Sequence, residues 1–178
     1  MDTLVQSQDT DAWVRAAIAQ MLPELRASAR LLANSRAEAD DMVQEALLRM
    51  LNGLDRFLPE PGQPPEASLR GWALAVLRNA FREGWRRARR ERDHAAHGAA
   101  SSEEGREGGQ EAKSDLRDLA RHIARLPPAL REAVVLVAAR GLSHEQAAAI
   151  CGVPVGTMKA RLSRARRSLA LALDAVNE

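Results

Sequence analysis

Cysteine is nearly missing from this chain: Cys151 stands alone among 178 residues. That excludes an internal disulfide and any cysteine-rich zinc site. Tyrosine is absent, and Phe and Trp together make up only 3%. No apolar run approaches the ~20 residues a membrane-spanning helix needs. The opening MDTLVQSQDTDAW is acidic and has no basic stretch leading into an apolar one, so export is not expected and a cytoplasmic location is. No run of alternating β-branched residues suggests a strand. A catalytic constellation is missing too. Asp41 and Glu45 stand one helical turn apart, but no His, Cys or metal-ligand cluster accompanies them. Such a pair is a solvated helix face or a partner-binding face, not an acid–base couple. An enzyme, a metal site, a cofactor and a small-molecule substrate are therefore not expected.

What the chain does have is helical periodicity and unevenly placed charge. Hydrophobic residues are 46% and charged residues 28% of it, enough to bury cores and stay in solution. The net charge of +2 conceals two basic blocks. Residues 78–92 carry seven arginines against Glu83 and Glu91, and residues 159–167 carry Lys159, Arg161, Arg164, Arg166 and Arg167 with no acid. These suggest two anion-binding surfaces; solvated helix faces are the plain alternative. Residues 94–114, HAAHGAASSEEGREGGQEAKS, hold no large apolar residue. Such a segment cannot bury enough surface to offset its ordering entropy, so it reads as a flexible acidic linker. The fold class expected is all-α: two small helical domains, residues 1–93 and 115–178, joined by that linker and free to move independently. About four helices are expected on each side. Residues 59–68, with four prolines, form a loop inside the first domain.

Two helices show their faces clearly. Over residues 36–54, Val43, Ala46, Leu47, Met50 and Leu54 share one side, and Asp41, Gln44, Glu45 and Asn52 the other. In the second domain, Gly141 ends a helix in the left-handed conformation. Ser143 and Gln146 have the spacing of a capping box. A short helix then runs to Cys151-Gly152, where a small buried thiol is expected. Pro154 suits the first turn of the next helix. There Met158, Leu162, Ala165 and Leu169 form an apolar stripe, opposite Ala160, Ser163, Arg164 and Arg167 and flanked by Lys159, Arg161 and Arg166. A short helix, a tight glycine turn and a second helix with a basic outer face make a helix-turn-helix. Its arginines and lysine can hold phosphates or the O6 and N7 atoms of guanine.

These residues carry a resemblance. LSHEQAAAICGVPVGTMKARLSRARRSL closely resembles region 4 of the extracytoplasmic-function sigma factors, and ARLPPALREAVVLVAARGLS resembles the helix pair before it. ADDMVQEALLRML resembles region 2.2, and LRGWALAVLRNAFREGWRRARR resembles regions 2.3 and 2.4. The four matches lie in family order on either side of the linker. AAAICG, VGTMKAR and ADDMVQEALLRML look most like the general-stress-response branch. Two features depart from the family: the loop at residues 59–68 is unusually proline-dense, and tyrosine, often used on strand-opening surfaces, is absent.

The resemblance implies a sigma factor that binds core RNA polymerase and directs initiation at promoter DNA of stress-response genes. Asp41, Gln44, Glu45 and Arg49 would meet the β′ clamp helices, and the second domain the β flap. Asn79 would sit near the pocket for a flipped −10 base, and Arg82, Arg86, Arg87, Arg89 and Arg90 would hold phosphates there. Strand opening would rely on few rings, such as Trp72, Phe81 and Trp85, with core packing expected for at least one of the two tryptophans. Thr157, Lys159, Ala160, Arg161, Ser163, Arg164 and Arg167 would face the −35 element. The linker would lie toward the path of nascent RNA, and a NepR-type anti-sigma factor would hold the protein inactive. The alternatives are a sigma-like decoy that sequesters an anti-sigma factor, which would have degraded DNA-contact helices, and an ordinary helix-turn-helix regulator, which would not need the DDMVQEALLRML helix.

Overall fold

A computed structural model describes the backbone of residues 2–54, 57–96 and 114–174, and side chains over most of that range. Every regular element in it is helical: α1 (Asp2–Leu32), α2 (Arg36–Asn52), α3 (Pro65–Ala96), α4 (Ser114–Arg125), α5 (Pro128–Ala133), a π-helical turn (Val134–Ala139), α6 (His144–Cys151) and α7 (Val155–Asp174). None of the described helices is long and apolar enough to cross a membrane.

The first three helices pack on one another. Among the described residues three helices precede residue 97 where about four are expected, and α1 runs unbroken through Pro23. A proline inside a helix costs about 3 kcal/mol. Here Val14 and Ile18 are buried before it and Leu25, Ala29 and Leu32 after it. Burying each large side chain contributes ~1.5–3 kcal/mol, so the stripe as a whole outweighs the break. The faces of α2 are as the periodicity predicts. Val43, Ala46, Met50 and Leu54 are buried, while Asp41, Gln44, Glu45 and Asn52 are exposed. Ser35 caps α2 by accepting a bond from the Glu38 amide at 3.1 Å. The proline-rich segment is irregular only as far as Pro64. Pro65 opens α3, where a missing N–H has no helical partner to lose. Helix α3 also runs slightly past the expected boundary, to Ala96; residues 97–113, most of the expected linker, lie outside the described residues.

The helix-turn-helix forms by the predicted chemistry. The Ser143 Oγ accepts from the Gln146 amide at 3.1 Å, and Gln146 Oε1 accepts from the Ser143 amide at 2.9 Å. Gly141 (φ 68°) and Gly152 (φ 62°) adopt the left-handed conformation that ends a helix. Pro154 stands one residue before α7 and accepts its first bond, from Met158 N at 3.1 Å. Removing the capping hydroxyl, Ser143→Ala, is expected to cost about 1 kcal/mol. Urea denaturation followed by circular dichroism should show a lower midpoint with an unchanged slope; a midpoint equal to wild type would mean the cap is not formed.

The two helical groups touch one another in this structure. α1 packs against α4, α5 and the π-helical turn, and α3 against α5 and α6. Polar contacts reinforce the junction. Arg131 donates to the Leu32 carbonyl at 2.5 Å and to Asn34 Oδ1 at 3.1 Å, closing the C-terminus of α1. It also donates to the Leu126 carbonyl at 3.3 Å and to that of Ala124. Arg70 reaches the Arg140 carbonyl at 2.7 Å. The expectation of independent motion rests on the linker's composition, which says nothing of contacts between the flanking surfaces.

Candidate nucleic-acid interface

Helix α3 changes character along its length. Its first half is buried at Leu69, Ala73, Leu74 and Leu77. Its second half carries Arg86, Arg87, Arg89 and Arg90, all exposed, so this part of the helix presents a line of unburied cations. Arg82 is only part-exposed and lies 3.5 Å from Glu132 of α5. Asn79 is exposed, and its Oδ1 accepts from Arg78 at 3.2 Å. The rings divide. Phe81 is 1% exposed and lies in the core beneath the Arg131 guanidinium, 5.7 Å from its ring centroid. It therefore cannot serve as an open surface for bases as long as this packing holds. Trp72 is half-buried against Phe57, with ring centroids 5.4 Å apart. Trp85 is half-buried as well, with the Arg89 guanidinium 5.6 Å above its ring.

On α2, Asp41, Gln44 and Glu45 share an exposed face with Leu48 and Leu51, which periodicity alone did not single out. Arg49 does not join that face freely. It donates to Glu45 at 2.7 Å and to Glu83 of α3 at 2.5 Å, stapling the two helices together. The Arg49 hydrogen bond holds the Glu83 carboxyl below the usual carboxylate range. Between α2 and α3 lies a groove of 980 Å³ with acids of α2 on one wall and arginines of α3 on the other.

Helix α7 presents a continuous wet face. Met158, Leu162 and Ala165 are buried, while Lys159, Ala160, Ser163, Arg164, Arg166 and Arg167 are exposed; Thr157 and Arg161 are part-buried at its edge. Its two small residues, Ala160 and Ser163, let the helix backbone approach a flat or grooved partner closely. Cys151 is buried behind the turn, and burial pushes its thiol up from the ordinary value.

Charged residues at the junction that were not among the sequence candidates include Arg78, Arg131 and Glu132. Arg78 belongs to the arginine run and stands one turn before Arg82, which was a usable signal. The pair Arg131-Glu132 leads into the apolar stretch AVVLVAA on its buried side, a position where charged residues need partners. Burial lowers the Arg131 pKa from its ordinary value.

Comparison with known proteins shows similarity along most of the chain. The family model for Sigma-70 region 2 matches residues 17–91, and that for Sigma-70, region 4 matches residues 116–169. The chain is 41% identical over 160 residues to the ECF RNA polymerase sigma factor EcfG of Rhodopseudomonas palustris, covering 90% of this chain and 84% of that one. It is 37% identical over 133 residues to the ECF RNA polymerase sigma factor SigC of Mycobacterium tuberculosis, covering 74% and 68%. Among solved structures, the sigma factor RpoE in complex with the anti-sigma factor NepR from Bartonella quintana aligns with a TM-score of 0.74 at 34% identity, over 90% of this chain and 96% of that one.

Proposed function

Because this chain belongs to the extracytoplasmic-function branch of the sigma-70 family of RNA polymerase sigma factors, we propose that its three exposed faces divide the work of promoter recognition. The α2 face with Asp41, Gln44 and Glu45 docks on the β′ clamp helices of core polymerase, and the second domain meets the β flap. The outer half of α3 holds the −10 element: Asn79 stands at the pocket for a flipped base, and Arg82, Arg86, Arg87, Arg89 and Arg90 take the phosphates. Flipping a base out of the stack costs a few kcal/mol, so a pocket and a row of cations must hold it. Thr157, Lys159, Ala160, Arg161, Ser163, Arg164 and Arg167 of α7 read the −35 element in the major groove. Arg49 acts from behind, holding the acidic face of α2 against α3.

The observation that carries this reading is the burial pattern of α7. Its apolar stripe is committed to packing, and the face left to solvent is basic at the rim with small residues between. That arrangement suits a groove in DNA, where cations meet phosphates and guanine edges at close range. An anti-sigma factor of the NepR type is the proposed regulator, by similarity to the RpoE complex. Stress-response genes are the proposed targets, and the cytoplasm the proposed location.

Run-off transcription with purified core polymerase and a panel of candidate promoters, with and without this protein, tests the reading. Discrete transcripts that depend on the protein are expected. Capture of a small helical protein without any transcription would instead point to a decoy. Pull-down from cells should recover a small anti-sigma protein mainly before stress; recovery of polymerase alone would remove the regulatory proposal and leave the sigma assignment standing.

A further inference from the structure

The Glu132 carboxylate lies at the junction of the two helical groups with no exposure at all. Its Oε1 accepts from Arg78 Nε at 3.1 Å and lies 3.5 Å from Arg82 Nε, so one oxygen of the second domain faces two cations of the first. Arg78 extends further across the junction, to the Cys151 carbonyl at 3.4 Å. That carbonyl is at the C-terminal end of α6, where a cation is favoured. The arrangement is incomplete in a telling way: Glu132 Oε2 and Arg82 Nε are buried without a hydrogen-bond partner.

We propose that Glu132 is an internal stand-in for a DNA phosphate, and that its pairing with Arg78 and Arg82 keeps the free protein closed until DNA takes its place. The proposal rests on the reading of α3 as the DNA-facing helix. Three physical points support it. A carboxylate and a phosphate make the same demand on arginine, an anionic oxygen in line with the guanidinium N–H groups. The pairing is geometrically imperfect, with one carboxylate oxygen and one guanidinium nitrogen left unsatisfied, so an anion that meets both arginines in line can displace it. Finally, removing one partner of a buried ion pair leaves the other charge uncompensated, so the closed form depends on Glu132, whereas a phosphate in its place keeps the arginines paired. Parting the domains rehydrates Glu132 and frees both arginines together, so opening is inexpensive when a competitor holds the cations.

The arginines would then act in two ranks. Arg86, Arg87, Arg89 and Arg90 are exposed in the closed form and can meet DNA first. Arg78 and Arg82, with side chains 16% and 28% exposed, become available only after the second domain moves away. Closure would thus weaken the binding of free protein to DNA without altering the promoter-bound complex.

The test compares full-length wild type with Glu132→Gln, which keeps the side chain's shape and removes its charge. In small-angle X-ray scattering the variant should have a larger radius of gyration. In fluorescence anisotropy with a labelled single-stranded oligonucleotide, the free variant should bind about tenfold more tightly, as expected if only ~10% of the wild type is open. Run-off transcription by holoenzyme made with excess of either protein should be equal, since both are then open. Should Glu132→Gln fail to give a wild-type helical spectrum, Arg78→Gln addresses the same pair from the part-exposed side and should expand the protein likewise. A folded variant with unchanged scattering and unchanged oligonucleotide affinity overturns the proposal. Failure of wild type itself to support transcription overturns the sigma reading instead, and the scattering comparison still decides whether the pair holds the domains together.

Discussion

Reversing two charges on α2, Asp41→Lys together with Glu45→Lys, should abolish co-purification with core RNA polymerase and leave the fold intact. Both side chains are exposed on the wet face of α2, so neither is needed for the core formed by Val43, Ala46 and Met50 beneath them. Glu45 does bond Arg49, but an exposed ion pair is worth only ~0–1 kcal/mol, and Arg49 keeps its 2.5 Å contact with Glu83. Binding is affected on a different scale. Losing a central interface contact costs ~2 kcal/mol or more; two such losses make about 4 kcal/mol, roughly a thousandfold in affinity. Replacing attraction by repulsion adds to that. Size-exclusion chromatography with core enzyme, alongside a thermal melt of the free variant, separates the two effects. A double variant that melts like wild type and still co-elutes with polymerase would show that this face is not the docking surface.

The second large effect is expected on α7. Lys159→Ala and Arg164→Ala should each reduce transcription most on promoters with an intact −35 element. A bidentate contact to guanine is worth ~1–3 kcal/mol of discrimination, roughly 5- to 150-fold, whereas a phosphate contact adds affinity that depends on salt rather than sequence. The distinction can be made here because Met158, Leu162 and Ala165 are buried and leave one face for the groove. In the free protein Arg164 Nε donates to the Ala160 carbonyl, but at 3.4 Å the bond is long and easily exchanged for a base edge. Arg166→Ala, nearer the edge of that face, should weaken binding evenly across sequences. A bulky residue at Ala160 or Ser163 should impair recognition by holding the helix off the base edges. Equal losses on matched and scrambled −35 elements would make Lys159 and Arg164 positioning contacts and would falsify their role in specificity.

Much of this protein's architecture is a matter of near neighbours in the chain. The faces of α2 and α7 follow from residues three and four apart, and the Ser143–Gln146 box from residues three apart. The left-handed turns at Gly141 and Gly152 depend on a single residue each. For that reason the helices, the helix-turn-helix and the exposed candidates on α2 and α7 are legible without coordinates. Family resemblance supplied the roles that periodicity could not. The continuity of α1 through Pro23 was less legible, since it depends on how well the helix packs on both sides of the proline. The staple of Arg49 to Glu83 crosses between helices. The meeting of Arg78 and Arg82 with Glu132 joins residues about fifty positions apart, and Arg131 reaches the carbonyl of Leu32 from still farther along the chain. No spacing rule pairs such residues. Only when α3 and α5 are packed side by side does the loss of water force the buried Glu132 carboxylate to find a cation, and the nearest cations are Arg78 and Arg82, of which the family resemblance assigns only Arg82 to DNA.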